Sequence, residues 1–235
     1  MHAPGAAARS TVLPLSLLAL LTVVSWQVAA DGPLLGLDRV ARRATYEFRH
    51  DLHSTAVNHL GVALSDLGGN VPAFALLLLG GATAAWLRHC AGAQRRRRPL
   101  AVAVLAGALV PALVIPGKAL FARPGPFGVP LSPEQLGWYP SGHTATSTIA
   151  YGAAALLVGR ELGAPARRRL YAGTALLCAG VGWGLVWSDY HWLLDVVASW
   201  CLGALVLWGL ARWAAPAPTG PDGLEPDRAA DRSAH

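Results

Sequence analysis

The sequence predicts an all-α membrane protein, a polytopic bundle of about six transmembrane helices with both termini in the cytoplasm. Three observations support this prediction. Of the 235 residues, 54% are hydrophobic and only 14% are charged, whereas a soluble domain usually carries about 25% charged residues. Six long apolar runs are separated by more polar stretches. Arginines are concentrated in alternate loops between these runs, as the positive-inside rule describes.

The apolar runs have roughly the 17–25 residues that are needed to span about 30 Å of hydrocarbon. They are residues 11–30, 67–87, 99–117, 142–159, 170–187 and 191–213. The first run has a second interpretation as a cleaved signal peptide, because Arg9 precedes it and "VAA" stands before Asp31. Its apolar stretch is long for a signal peptide, so a retained first helix is favoured.

The arginines orient these helices in the membrane. They occupy the loops after the second and fourth runs and follow the sixth, at Arg88, 95–98, Arg160, 167–169 and Arg212. These loops are therefore expected in the cytoplasm. Residues 31–60 carry four arginines against four carboxylates, and we predict an amphipathic helix on the outer surface there. Residues 61–213 form the predicted bundle core, and the Pro-, Gly- and Ala-rich tail, 214–235, is predicted to be disordered.

Composition also narrows the class of function. The formal net charge of +6 is explained in a membrane protein by topology, so nucleic-acid binding is not predicted. The three cysteines show no zinc-type spacing, and no disulfide framework is expected from them. Lys118 is the single lysine beside 18 arginines. Chance is one explanation, and a site that needs a compact ammonium with three donors is the other.

Six polar residues from distant parts of the sequence meet at the predicted outer ends of the helices. They are Lys118 and Arg123 after the third run, Ser141 and His143 at the start of the fourth, and His191 and Asp195 at the start of the sixth. Ionisable residues at membrane depth are costly, which makes them functional candidates. Each alone has an ordinary explanation as an interfacial polar residue, a helix cap or a snorkelling lysine. Their convergence at one membrane face favours a site.

The start of the fourth run has the features of an anion-binding site. Ser141 follows a proline and is placed to cap the helix, which leaves the N–H groups of Gly142 and His143 pointing outward. Gly142 allows close backbone approach. Lys118 and Arg123 add positive charge, and a guanidinium can bind an oxyanion through two hydrogen bonds. Together these residues predict a phosphate-binding cradle.

The start of the sixth run adds a candidate nucleophile. His191 and Asp195 are four residues apart, so a helix places them on one face. The carboxylate can accept from one ring nitrogen and leave the other free to attack. His143 could then protonate a leaving oxygen. This set contains no group of metal ligands and needs no cofactor, and it suits phosphoryl transfer through a phosphohistidine.

These motifs resemble those of the type 2 phosphatidic acid phosphatase superfamily, over about residues 60–213. The matching stretches are "KALFARP" (118–124), "PSGH" (140–143) and "HWLLD" (191–195). The resemblance implies six helices with an extracytoplasmic site. It also implies that His191 is the nucleophile, Asp195 its partner and His143 the acid. Phosphate would be held by Lys118, Arg123, Ser141 and Gly142.

The sequence departs from the family pattern at two places. The commonest first motif has its arginine at the position of Gly125, whereas here the arginine is nearer the lysine, at Arg123. The third motif usually begins with Ser-Arg, and those positions hold Gly184 and Leu185. One phosphate-binding guanidinium is therefore absent, and the neighbouring sequence offers no cation in its place.

The function expected from this sequence is hydrolysis of a lipid phosphate or pyrophosphate at the outer face of the plasma membrane. Polyprenyl pyrophosphate, phosphatidic acid and phosphatidylglycerol phosphate all fit. Transfer of the phosphate to a lipid or sugar acceptor is an alternative, and a non-catalytic scaffold or transporter with a degenerate site is another. Halide oxidation with bound vanadate occurs in soluble members of the superfamily, and the apolar runs argue against it here.

Overall fold

The structure is a computed structural model that describes residues 6–93 and 97–213. Within these two ranges the chain forms eight helices and no strand. They are α1 (Ala6–Ala29), α2 (Leu35–Leu52), α3 (Thr55–Leu67), α4 (Asn70–Cys90), α5 (Arg98–Phe121), α6 (Gly142–Gly159), α7 (Ala164–Trp187) and α8 (Leu193–Trp213). The all-α prediction is confirmed. The tail that was predicted to be disordered lies outside the described residues.

Helix α6 lies at the centre of the bundle and packs against α4, α5, α7 and α8. Small residues allow these helices to approach closely, as is common in membrane bundles. A Cβ placed on Gly80 of α4 would lie 2.7 Å from the Cβ of Ala154 in α6. A Cβ on Gly203 of α8 would lie 2.6 Å from Thr148 of the same helix. The tight packing fixes the position of the first turn of α6, where the candidate site begins.

Five of the described helices are long and apolar enough to cross a membrane, namely α1 from Thr11 onward, α4, α5, α7 and α8. Helix α6, the fourth predicted run, is not among them because its first turns, "GHTATST", are polar. These polar residues are buried from Thr144 onward by the surrounding helices. The bundle therefore shields α6, and its polar turns need not face lipid.

Helices α4 to α8 alternate in direction, so their ends form two distinct layers. At one end, Arg88 forms an ion pair of 2.7 Å with Glu161, and Arg160 donates to the carbonyl of Ala211 over 2.7 Å. We call this layer the arginine-rich end. It contains the described parts of the segments that were predicted to be cytoplasmic. At the opposite end, the N–H of Ser141 donates to the carbonyl of Asp195. We call that opposite layer the site end.

Residues 31–60 were predicted as one amphipathic helix, and the structure contains two helices in this region. His53 ends α2 with a left-handed φ of 46°, and Ser54 begins α3 by accepting a hydrogen bond of 3.4 Å from the N–H of Val57. Helix α3 continues to Leu67, so the predicted boundary at residue 60 divides it. It packs along α7, whereas α2 contacts α7 and α8 at the site end.

Candidate active site

The His191–Asp195 pair forms as the four-residue spacing predicted. Nδ1 of His191 lies 3.1 Å from Oδ2 of Asp195, which also accepts from the N–H of Trp192 over 3.3 Å. Both side chains are buried, with Asp195 fully inaccessible to solvent. Because a carboxylate only accepts hydrogen bonds, Nδ1 carries the proton and Nε2 keeps its lone pair. The indole of Trp138 stands edge-on to the imidazole, with 5.3 Å between ring centroids.

His191 is held in place by the turn that joins α7 to α8. Asp189 adopts a left-handed φ of 58° and donates its N–H to the carbonyl of Val186. The N–H groups of Tyr190 and His191 both donate to the carbonyl of Leu185, over 2.8 and 3.2 Å. This pattern is a Schellman motif, which satisfies the last carbonyls of a helix. The turn therefore fixes the backbone of His191 directly.

Burial lowers the pKa of His191 below its ordinary value of 6.5, because the imidazolium loses hydration. The hydrogen bond and the negative charge of Asp195 oppose this effect, whereas the positive charges of Lys118 and Arg123 add to it. The neutral imidazole is thus the favoured form near neutral pH, and it is the nucleophilic form.

Ser141 caps α6, as was predicted. Its hydroxyl oxygen accepts from the N–H of Thr144 over 3.3 Å and from the hydroxyl of Thr144 over 3.0 Å. The N–H groups of Gly142 and His143 precede the first helical hydrogen bond, so they have no carbonyl partner within α6. These two donors are the part of the helix start that an anion can use.

Ser199, which the sequence analysis missed, joins the two histidine motifs. Its hydroxyl lies 2.9 Å from the carbonyl of Ser141 and 2.9 Å from that of Asp195. The N–H of Ser141 also donates to the carbonyl of Asp195 over 3.2 Å. The available signal was its position one turn after Asp195 on an otherwise apolar helix. Through these contacts the start of α6 and the start of α8 are held in one arrangement.

Lys118 lies beside the start of α6. Its Nζ donates to the carbonyl of Gly137 over 2.9 Å, with the carbonyl of Trp138 at 3.5 Å. The N–H of Gly137 donates back to the carbonyl of Lys118 over 3.1 Å, so the loop after α5 folds against the end of that helix. A Cβ on Gly142 would lie 3.7 Å from Cε of Lys118. The ammonium and the free N–H groups therefore belong to one site.

Arg123 was expected to bind phosphate, and the structure places its guanidinium between two carboxylates. Nη1 lies 2.5 Å from Oδ1 of Asp195 and Nη2 lies 2.5 Å from Oδ2 of Asp38. The side chain is only 8% exposed. Arg123 therefore contacts the carboxylate that orients His191, on the oxygen that His191 does not use.

Asp38 is the second site residue that the sequence analysis missed. Its side chain is 1% exposed, and Oδ1 accepts from the N–H of Leu194 over 2.8 Å. Burial raises the pKa of Asp38, whereas the hydrogen bonds from Arg123 and Leu194 oppose that rise. The sequence signal was a single acid within the apolar stretch "LLGLDRV" of an amphipathic segment.

His143 faces the open side of the site. Unlike His191 it is exposed, and it lies within electrostatic range of His191, Lys118 and Asp66 of α3. Gly68, at the end of α3, approaches it closely, since a Cβ there would lie 2.8 Å from the Cβ of His143. The side chain is thus near His191 and exposed to solvent.

The two departures from the family pattern have steric explanations. A Cβ on Gly125 would lie 2.6 Å from the indole of Trp138, so an arginine does not fit there. A Cβ on Gly184 would lie 2.4 Å from the carbonyl oxygen of Gly61, because α3 packs directly on this part of α7. Leu185 is 1% exposed and belongs to an apolar cluster with Val181 and Val196. This part of α7 has become a helix–helix contact.

Two guanidinium groups nevertheless reach the edge of the site from α2. Nε of Arg42 lies 3.2 Å from Oδ1 of Asp189, and Nη2 of Arg49 lies 2.5 Å from Oδ2. The guanidinium of Arg42 also lies over the indole of Trp192, 5.9 Å from its centroid. Neighbours in sequence offer no cation in place of the missing arginine, and these two guanidinium groups come from a separate helix and are paired with Asp189.

Comparisons with known proteins agree with this fold. The sequence pattern of the PAP2 superfamily matches residues 98–217, which is just over half of the chain. The structure is similar to the crystal structure of a transmembrane PAP2-type phosphatidylglycerolphosphate phosphatase from Bacillus subtilis, with a TM-score of 0.72 and 19% identity over 85% of this chain and 94% of that chain. No curated protein matches the chain significantly. The family match covers all three motifs, and the chain belongs to the PAP2 superfamily.

Proposed function

We propose that this protein hydrolyses a lipid phosphate or pyrophosphate through a phosphohistidine formed on His191. The main support is the buried His191–Asp195 pair, which has its free Nε2 at the same end of the bundle as the N–H groups of Gly142 and His143. Lys118 supplies the positive charge beside them. Membership in the PAP2 superfamily supports a phosphatase activity.

In the first step the substrate phosphate binds to Lys118 and to the first N–H groups of α6, with Ser141 holding that turn in shape. Nε2 of His191 attacks phosphorus, so a P–N bond forms while the P–O bond to the leaving group breaks. The proton on His143 passes to the leaving oxygen, which departs as an alcohol or as a lipid monophosphate. Asp195 stabilises the positive charge that develops on the imidazole ring.

In the second step a water molecule displaces His191 from phosphorus. His143 is now neutral and accepts a proton from the water molecule as its oxygen attacks phosphorus. The P–N bond breaks, inorganic phosphate leaves, and both histidines return to their starting forms. His143 is thus the acid of the first step and the base of the second. His191 is the nucleophile of the first step and the leaving group of the second.

We infer that the substrate is a membrane lipid whose phosphate rests at the outer surface. The site lies at the end of the bundle opposite the arginine-rich loops, and such loops favour the cytoplasm. Phosphatidylglycerol phosphate, phosphatidic acid and polyprenyl pyrophosphate remain the candidate classes. The activity named for the Bacillus subtilis protein gives additional weight to the first.

The test is phosphate release by the purified protein in detergent, in the presence of EDTA, with each of the three lipids. His191→Ala should abolish release, whereas His59→Ala should leave it unchanged because His59 is an exposed histidine of α3. Radiolabelled substrate should yield a phosphoenzyme that is labile in acid and stable in base, and His191→Ala should not form it. Full activity in His191→Ala would refute the mechanism. Phosphate that appears mainly on an added alcohol would indicate a phosphotransferase.

A further inference from the structure

A continuous chain of buried charged groups connects α2 to His191. Asp38 binds Arg123, Arg123 binds Asp195, and Asp195 binds Nδ1 of His191. All four side chains are at most 8% exposed. A buried charge is costly unless it is paired and hydrogen-bonded, so each group in the chain depends on its neighbours.

The other oxygen of Asp38 binds the start of α8. The N–H of Leu194 lies in the first turn of α8 and has no carbonyl partner within that helix. Oδ1 of Asp38 accepts from it over 2.8 Å, and a negative charge at a helix N-terminus is favourable. Asp38 therefore caps α8 from a different helix while it holds Arg123 with its second oxygen.

We propose that Asp38 is a positioning residue for the phosphohistidine reaction. By binding Arg123 and the first turn of α8 together, it fixes the geometry in which Asp195 orients His191. This inference rests on the proposed function for its consequence in catalysis. Its geometric part concerns only the contacts between α2, Arg123 and α8.

Removal of the charge on Asp38 separates the positioning role from a purely structural one. If Asp38 only anchors α2, the titration of His191 should not change. The positioning role predicts that it does. Without that charge, Arg123 would be balanced by Asp195 alone and would draw this carboxylate away from the imidazole. The imidazolium form of His191 would then be less stabilised, and His191 would titrate at a lower pH. The charged and titratable groups that face His191 are Asp195, Lys118, Arg123 and His143. The substitution of Asp38 leaves all four in the protein.

The experiment compares Asp38→Asn with Glu47→Gln, which removes an exposed carboxylate from the same helix. Asparagine keeps one oxygen for the N–H of Leu194, but its amide group then meets Arg123 donor to donor. We expect kcat to fall about 10²-fold while KM stays within about threefold of the wild-type value. The carbon-13 resonance of His191, assigned with His191→Gln, should titrate about 0.5 pH lower than in the wild-type protein.

Glu47→Gln should match the wild-type protein in both measurements. An unchanged His191 titration in a folded Asp38→Asn protein would overturn the positioning role, and so would a rise in KM with kcat preserved. If both Asp38→Asn and Asp38→Ser fail to fold while Glu47→Gln folds, Asp38 is a folding residue and the proposal is wrong. A wild-type protein without phosphatase activity would instead count against the proposed function, and the titration would still decide the role of Asp38.

Discussion

At the scale of single residues, the burial of His191 determines the pH range in which the proposed nucleophile is neutral. Burial disfavours the imidazolium and lowers the pKa of His191 below its ordinary value of 6.5. His191 therefore stays neutral down to a lower pH than an exposed histidine does. We predict that the acid limb of kcat/KM has its midpoint below pH 6.5, measured with a soluble short-chain substrate from about pH 4.5 to about pH 8.

Asp195→Asn distinguishes His191 from the substrate as the titrating group. The carboxylate raises the pKa of His191, so its removal should move the acid limb to lower pH and reduce kcat. Ionisation of the substrate phosphate would leave the limb where it is. A wild-type midpoint above pH 6.5, or a limb that Asp195→Asn does not move, contradicts this assignment.

Leu185 tests whether the usual family arginine can be restored. Its side chain is 1% exposed and packs against Val181 and Val196. Leu185→Arg would place a guanidinium in this apolar cluster, and an uncompensated buried charge costs about 3–5 kcal/mol. We expect a large drop in the thermal unfolding temperature in detergent and no gain in activity. Leu185→Met, which conserves volume, should cost less than about 1.5 kcal/mol. A stable and more active Leu185→Arg protein would show that the pocket accepts the family arrangement.

At the scale of elements, the turn between α7 and α8 is both strained and tied to α2. Asp189 has a left-handed φ of 58°, which costs a residue with a Cβ roughly 1–2 kcal/mol. Its carboxylate binds Arg42 and Arg49, whose side chains are 42% and 23% exposed, so each ion pair contributes at most about 1 kcal/mol. The turn that carries His191 thus depends on contacts with a separate helix.

Asp189→Gly and Asp189→Ala separate these two effects. Both remove the ion pairs, and we expect trypsin to cleave within α2 faster in both variants, as mass spectrometry of the fragments would show. Glycine tolerates the left-handed conformation, whereas alanine does not. Asp189→Ala should therefore be about 1 kcal/mol less stable than Asp189→Gly. Equal stability would mean that the turn changes its conformation, and unchanged cleavage would mean that α2 is held by other contacts.

The elements also show which parts of the fold can be read from sequence. Helix α6 begins at Gly142 as predicted, because a proline and a capping serine mark its start locally. The break between α2 and α3 was missed because His53 adopts a left-handed conformation without a glycine to signal it. The His191–Asp195 pair follows from helical spacing. The contact between Asp38 and Arg123 joins residues 85 positions apart, and it depends on where α2 crosses the bundle, which no local pattern encodes.

At the scale of the whole molecule, charge differs between the two ends of the bundle. The described arginines of the loops after α4 and α6 lie together at one end, where Arg88 and Glu161 pair across them. Helix α2 brings further arginines to the site end, and two of them, Arg42 and Arg49, are paired with Asp189. The positive-inside rule counts Lys and Arg rather than net charge, and these residues are more concentrated in the described segments at the arginine-rich end. This distribution favours an extracytoplasmic site.

The native cysteines allow this orientation to be tested. Cys90 is exposed at the end of α4, at the arginine-rich end, whereas Cys178 and Cys201 are buried. We predict that a membrane-impermeant maleimide leaves Cys90 unlabelled in intact cells and labels it in inside-out vesicles. A Cys90→Ser protein that also carries Ser132→Cys, in the exposed loop between α5 and α6, should show the opposite pattern. Labelling of Cys90 from outside intact cells would place the site in the cytoplasm, and the substrate would then have to be a lipid phosphate of the inner leaflet.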